Sequence, residues 1–428
     1  MTIKDMLGRS GVVSREEALK ALDEHLAIPD LRPEDIPLRE TLGRVLARDI
    51  LSPSDHPEFD RSTMDGYAVR SADTFGAAES HPALLTVIGD IPMGTMPDRT
   101  IGKGECMKIA TGGALPQAAD AVVMFEHVQA VDAATIEVVK PVGPRDHVIS
   151  AGDDLKKGER VLPKGQVLRP QDMSILASIG VATVPVFEKP RVAIISTGNE
   201  IVSADSLPGP GQIRDSNSYN LEGLITLAGG TTRRMGIIPD NEDRLRTTLL
   251  AAMTDCHIVL FSGGSSVGTA DFTAKVINDI GSPGVLVHGI SIKPGKPLIV
   301  GIVKRRTSGE HIPVFGLPGH PAAVAICFEL FVKPVLALFT GAVMHPALTG
   351  IYLGQVVKAK LSRSVPSAPG REDHVRVMLE RRDDGLWAKP VFGASGLIST
   401  LVKAVGTVVI PKNAIGIETG EEVEVRLF

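Results

Sequence analysis

The sequence predicts a multi-domain α/β plus β protein. Its centre is a doubly wound α/β domain, flanked by an N-terminal β-rich domain, an interrupted linker domain and a small C-terminal β domain. Three observations lead there. A chain of 428 residues exceeds one ordinary core and implies two to four domains. After Pro190 apolar strands alternate regularly with amphipathic helices. Before and after that stretch the texture is short apolar runs cut by proline and glycine.

The elements follow in order. Ser14 ahead of Glu16 and Glu17 opens SREEALKALDEHL, with Ala18, Leu19, Leu22 and Leu26 along one side; PLRETLGRVLA predicts a second helix. Short runs such as LLTVIG, CMKIA, AVVMFEHV and TIEVV predict a β domain over 51–140. DDLKKGERVLPKGQVLRPQDMSILASIGVATVPVF predicts a turn-rich segment, a helix near 170–179 and a strand; residues 141–188 are expected to pair with 1–50 as the interrupted linker. Over 189–340 run RVAIIS, SNSYNLEGLITLA, TTRRMGII, NEDRLRTTLLAAM, HIVLF, TADFTAKVINDI, VLVHGI, LIVGIV, IPVFGL and a long apolar helix. Strands without period-2 alternation predict a parallel sheet buried on both faces. LGQVVKAKL, HVRVMLE, LWAKPVF, TVVIP and EEVEVRLF predict a small sandwich or barrel over 341–428.

Composition narrows the function classes. A net charge of −5, with no basic run longer than Lys304 to Arg306, excludes a nucleic-acid footprint. One Trp and three Tyr argue against an aromatic-lined groove. Cys106, Cys256 and Cys327 form no CxxC, and the last two sit in apolar runs, as expected of a reducing, cytoplasmic protein. The N-terminus lacks a signal-like pattern and no uninterrupted apolar stretch reaches membrane-span length, so secretion and membrane insertion are disfavoured.

In a parallel sheet, loops at the carboxyl ends of strands meet helix N-termini, whose free N–H groups attract anions. Three loops fit: Ser196 to Glu200 with Thr197, Gly198 and Asn199; Ser262 to Thr269 with Gly263, Gly264, Ser265 and Gly268; and Gly316 to Pro321 with Pro318, Gly319 and His320. Their glycines admit close approach by phosphate oxygens. Asp271 either caps the following helix or holds a divalent ion. Glu200, Asp240 and Asp271 each follow a strand of this sheet, so they form either a Mg²⁺ site or a solvated acidic rim. Lys293 and Lys296, in a turn stiffened by Pro294, Gly295 and Pro297, are candidates for binding an oxyanion. His320 donates to ligand or to backbone. In the β domain Asp60, Arg61 and Ser62 are candidates for a ligand face, whereas Asp65 and Gly66 read as turn chemistry; Thr111 caps a turn or touches a ligand.

Taken together, FDRSTMDGYAV, KIATGGALP, STGNEI, IRDSN, FSGGSSVGTADFTAK, IKPGKP and FGLPGHP resemble the ordered signatures of the MoeA family of molybdopterin molybdotransferases, related to the C-terminal domain of gephyrin. The resemblance runs from about residue 14 to the end. It implies an elongated homodimer with a molybdopterin-binding-like α/β domain and a site closed by the partner subunit's β domain. The implied reaction inserts molybdate into adenylylated molybdopterin with Mg²⁺ and releases AMP. Transient contact with the molybdopterin adenylyltransferase and with cofactor-accepting enzymes is implied too. Asp60, Thr111, Glu200, Asp240 and Asp271 match positions tied to activity, Lys293 and Lys296 match the Pro-Gly-Lys turn, and Asp215, Ser262, Gly263 and Gly264 match the nucleotide and phosphate neighbourhood.

The chain departs from the pattern at Asn199, where aspartate is common, at Ser265, where an apolar residue is usual, and at His320 and Ala323, where asparagine and serine are usual. Val148 to Asp154 lacks an arginine-rich run. The alternative reading is a paralogue that binds molybdopterin without catalysis or prefers another oxyanion such as tungstate; the presence of the acidic set and both lysines argues for the enzyme.

Overall fold

The computed structural model describes residues 11–263, 269–305, 307–342 and 355–428; the side chains of 269–271 fall outside that description. Its centre is a six-stranded sheet in the order Thr231–Ile238, Arg191–Thr197, Ile258–Gly263, His311–Leu317, Ile299–Lys304, Pro283–His288. Successive residues of a strand point to opposite faces. Accordingly Val192 and Ile194 join one core with Leu221, Ile225 and Phe328, while Ala193 and Ile195 join another with Leu245, Leu249 and Ile277. Helices Asn217–Leu227 and Pro321–Phe339 cover the first face; Glu242–Ala252 and Thr269–Ile280 cover the second. This is the doubly wound arrangement expected from the sequence.

The expectation of a wholly parallel sheet needs correction. Ile299–Lys304 runs antiparallel to both His311–Leu317 and Pro283–His288. Only the short 305–310 connection separates it from His311, and a parallel return needs a crossover of a dozen or more residues. The apolar character of Ile299–Lys304 reflects burial on both faces, which direction does not alter.

By length and composition Pro321–Phe339 could cross a membrane, with a mean hydropathy of 2.1, yet 78% of its most apolar window is buried within the protein. It is the core helix of this sheet.

The β domain contains a second six-stranded sheet, from Ala121–Met124 through Gly66–Val69, Glu105–Ile109, Ala83–Asp90 and Thr135–Val138 to Val128–Ala130. Pro33–Pro37 pairs with Thr183–Phe187, and Ile50–Leu51 pairs with Arg160–Leu162. Leu46, Leu168, Leu176 and Val186 close a small core between these two halves.

Two N-terminal expectations change. Ser14 and Glu17 form a capping box on Arg15–Asp23, but its buried Ala18 and Leu22 join the α/β core beside Ile290 and Leu298 rather than the linker core. In PLRETLGRVLA only Leu38–Glu40 makes a single 3-10 turn. Gly43 at φ 72° then redirects the chain, and Val45 and Leu46 bridge Val167 and Val186. A helical apolar pattern was here outbid by strand-like pairing to distant residues.

At the C-terminus Glu372–Arg382, Gly385–Pro390, Val356–Leu361, Glu422–Leu427 and Gly406–Ile410 pair in sequence, and Gly406–Ile410 returns to Glu372–Arg382. The closed sheet is a five-stranded barrel in which Gly385–Pro390 covers only Val377–Arg382, leaving the start of the Glu372–Arg382 strand an open edge. Ile292–Lys293, from the α/β unit, adds alongside Glu372–Asp373.

Candidate active-site cleft

A cleft of about 480 Å³ opens at the carboxyl edge of the parallel strands. Ser196, Gly198 and Glu200 enter it from the Arg191–Thr197 strand and its loop, Asp240 from the loop after Thr231–Ile238, and Ser262 and Gly263 from the end of Ile258–Gly263. Gly319 and His320 enter from the loop before the core helix, and Asp215, Ser216 and Asn217 from the start of Asn217–Leu227. Gly396 and Ile398 of the C-terminal unit complete the wall.

Glycines make the approach possible. A Cβ on Gly263, at φ 107°, would lie 2.1 Å from the Thr197 carbonyl, so no larger residue fits where these two strand ends meet. A Cβ on Gly198 would lie 2.7 Å from Glu200 Oε2, which places the Glu200 carboxylate over its own loop.

The polar groups are held by one another. Asp215 is buried and accepts from Ser196 Oγ at 2.6 Å and from Ser218 N at 3.0 Å, fixing the helix start against the strand. Thr197 Oγ1 donates to Asp240 Oδ1 at 2.8 Å, and Asp240 N donates to Asn199 Oδ1 at 3.2 Å. Asn217 Nδ2 donates to the Gly319 carbonyl at 2.8 Å, linking two walls of the cleft. His320 Nδ1 lies 2.8 Å from Ser395 Oγ, and Ala322 N donates to the Ser395 carbonyl at 3.2 Å, so the C-terminal unit grips the N-terminal end of the core helix.

Of the residues singled out by sequence, the cleft gathers Gly198, Glu200, Asp215, Asp240, Ser262, Gly263, Gly319 and His320, with buried Thr197 beside Asp240 and buried Pro318 ahead of Gly319. Gly264, Ser265 and Gly268 lie outside the described residues, as does the side chain of Asp271. Among the described residues no three His, Cys, Asp or Glu side chains cluster as a metal site. Glu200 and Asp240 line the cleft as a pair. Lys293 and Lys296 do not line it; Lys293 Nζ lies 4.0 Å from Asp373 Oδ2.

The β-domain candidates form their own surface, and none of them lines the cleft. The Asp60–Asp65 and Ala110–Leu115 segments zip together through Leu115 N to Asp60 O, Ser62 N to Gly113 O and Gly112 N to Ser62 O, at 2.8–2.9 Å. Asp60 pairs with Arg145 Nη1 at 2.5 Å and accepts from Ala151 N at 2.8 Å. The Arg145 guanidinium holds the Asp60 carboxyl below its usual range, outweighing partial burial. Thr111 donates to Asp65 Oδ1 from its N–H at 2.7 Å and its hydroxyl at 3.0 Å, which depresses the Asp65 carboxyl likewise. Arg61 pairs with Ile149 in a short ladder, while Ser62 is buried and its hydroxyl bonds to Met64, which makes it a turn residue in this chain.

Sequence reasoning missed Arg145, Asn217, Ser395 and Gly396, and took Asp65 for turn chemistry alone. A signal existed for the pair Ser395 and Gly396, since GASG is a glycine-and-serine loop of the same texture as SGGSSVG. Arg145 left none, because its contact with Asp60 spans the domain.

Sequence models of three consecutive regions match the chain: the MoeA N-terminal region, domains I and II, over 13–180; a probable molybdopterin binding domain over 193–338; and the MoeA C-terminal region, domain IV, over 358–428. A protein of Methanocaldococcus jannaschii named for molybdopterin biosynthesis is 35% identical over 96% of this chain and 95% of its own. The chain belongs to the MoeA family, the molybdopterin molybdotransferases. The molybdopterin molybdenumtransferase of Bacillus subtilis is 31% identical over 92% of this chain and 90% of its own. Among solved structures, a molybdopterin biosynthesis MoeA protein from Pyrococcus horikoshii aligns with a TM-score of 0.80 at 36% identity, covering 97% of this chain and 100% of the other.

Proposed function

We propose that this MoeA-family chain inserts molybdate into adenylylated molybdopterin and releases AMP. In this reading it works in the cytoplasm as a homodimer, following a molybdopterin adenylyltransferase and handing its product to cofactor-accepting enzymes. The domain limits 1–50 with 141–188, 51–140, 189–340 and 341–428 belong to the same reading, except that Arg15–Asp23 packs on the 189–340 unit. The observation that carries it is the convergence of Glu200 and Asp240 with the glycine-lined ends of two parallel strands in one cleft.

Within the cleft, glycine at 198 and 263 lets the Glu200 carboxylate fold over its loop and the two strand ends close together, where a Cβ would meet Glu200 or the Thr197 carbonyl. Mg²⁺ needs only one or two carboxylates beside phosphate oxygens, so Glu200 and Asp240 would hold it, and bound there it would neutralise charge on the diphosphate; Asp271 is the third carboxylate of the sequence reading. Asp215 does not ligate in this scheme. It accepts from Ser196 and Ser218 and so holds the loop that carries Glu200. Lys293 and Lys296 lie outside the cleft wall, and the oxyanion role assigned to them rests on their Pro-Gly-Lys turn. The Asp60–Arg145 and Asp65–Thr111 surface covers the partner subunit's cleft. The protein contributes alignment and charge compensation rather than a covalent nucleophile.

The test supplies purified protein with adenylylated molybdopterin, Mg²⁺ and molybdate and follows AMP. Molybdate-dependent release is expected, with Asp240→Asn slowing it about a hundredfold or more, the scale set by loss of one preorganised charged group. A well-folded protein that releases no AMP in response to molybdate removes the transferase reading.

A further inference from the structure

Outside the cleft, three segments distant in sequence meet at one junction. Val13 bridges Ile290, and its carbonyl accepts Ser291 N at 2.8 Å. Ile292 and Lys293 then pair in parallel with Glu372 and Asp373, and Glu372 N donates to the Ser291 carbonyl at 2.9 Å.

Polar side chains, Arg15 and Glu372 with the His374 ring, fill the seam. Glu372 Oε1 lies 2.8 Å from His374 Nε2 and 3.6 Å from Arg15 Nε; the side chains are 15%, 2% and 28% exposed. None of the three facing atoms has a well-directed hydrogen bond, so Arg15 and Glu372 meet as a through-space ion pair with the His374 ring packed against the same carboxylate oxygen. Burying such a cluster is costly, and replacement by packed hydrocarbon is often neutral or stabilising. What charge adds is a preferred arrangement. A pairing of two residues is weakly specified by itself, and a one-residue slip would carry Lys293 to the other face. Arg15, reaching from the first turn of its helix, ties Glu372 to the N-terminal segment that also holds Ser291. On the other side of Ile292–Lys293, buried Asp373 takes Arg371 Nε at 2.7 Å and faces Lys293.

We propose that Arg15, Glu372 and His374 are positioning residues for Lys293, holding the Ile292–Lys293 turn in register on the barrel strand. The proposal rests on the oxyanion role given to Lys293 above and deepens it.

Two measurements on the full-length protein test it: KM for molybdate against kcat in molybdate-dependent AMP release, and backbone hydrogen exchange of a peptide covering 289–293. Arg15→Met is expected to raise KM roughly threefold to tenfold with kcat within about twofold, and to speed exchange at 289–293. Arg15→Lys keeps the charge and should restore both values. His374→Phe, a second route to the same link, should behave as Arg15→Met does. If Arg15→Lys is no better than Arg15→Met, or if exchange speeds up while KM stays put, the residues only pack and the proposal is overturned. Should the wild type show no molybdate-dependent AMP release, the transferase reading fails by itself. Exchange then decides the register claim: faster exchange in Arg15→Met that Arg15→Lys reverses supports it, and unchanged exchange ends it.

Discussion

Asp215 illustrates how a single buried carboxylate sets the shape of the cleft. It takes a hydroxyl from the strand end and an N–H from the helix start, both groups that would otherwise sit buried without a partner. Asp215→Ala should therefore cost about 1–3 kcal/mol, the desolvation of the orphaned donors, read as a lower urea midpoint for the α/β unit. An unchanged midpoint would mean that Ser196 and Ser218 find other acceptors. Asp60 makes a pH prediction. Its folded pKa lies below the ordinary 3.8 because of Arg145, so the pair's contribution is present above that value and is lost as pH falls through the depressed one. Both side chains are more than a third exposed, which limits the contribution to about 1 kcal/mol or less. In Arg145→Ala the Asp60 titration followed by NMR should move up toward its ordinary range; a titration that stays put would assign the depression to the Ala151 N–H instead.

Among elements, the meeting of Arg191–Thr197 with Ile258–Gly263 carries the sharpest expectation. Gly263→Ala forces a Cβ against the Thr197 carbonyl at a backbone angle that side chains avoid. Loss of about 2 kcal/mol or more follows, visible as a thermal midpoint lowered by several degrees. A variant as stable as the parent would show that the strand ends part easily. Elements with local signals were legible: Ser14 and Glu17 announce a helix start through a capping box that four consecutive residues can make. PLRETLGRVLA was not, since Val45 and Leu46 are claimed by Val167 and Val186 more than a hundred residues away. The direction of Ile299–Lys304 was hidden for a related reason, as a strand buried on both faces reads alike in either orientation.

For the molecule as a whole, cores are separate: two on the faces of the α/β sheet, others inside the β domain, the linker halves and the barrel. Trp387, the single tryptophan, sits on the barrel strand Gly385–Pro390 and donates to Asp384 Oδ1 at 2.7 Å. Its fluorescence thus reports the barrel alone. Urea transitions followed by Trp387 and by far-UV circular dichroism should not superimpose, because separate cores open at different denaturant levels. Superimposable curves would show that junctions such as Arg15–Glu372 and His320–Ser395 bind the domains into one cooperative unit. These junctions also mark where reading the sequence stopped. The chemistry of the α/β loops was visible because glycines, hydroxyls and carboxylates recur directly after strands, and the topology brings strand ends to one edge. That Ser395 and Gly396 help wall the cleft was not visible, since their loop follows no strand of that sheet.

By itself, then, the order of residues determined which segments become strands and helices around the central sheet, and that Glu200, Asp240, Gly198, Gly263 and Gly319 face one edge. Periodicity and turn chemistry are local, and a parallel sheet converts them into position. Tertiary structure alone decided the partners: Arg145 for Asp60, Thr111 for Asp65, Ser395 for His320, and Arg15 with His374 for Glu372. Such pairings depend on how folded units settle against one another, through contacts that no spacing along the chain encodes.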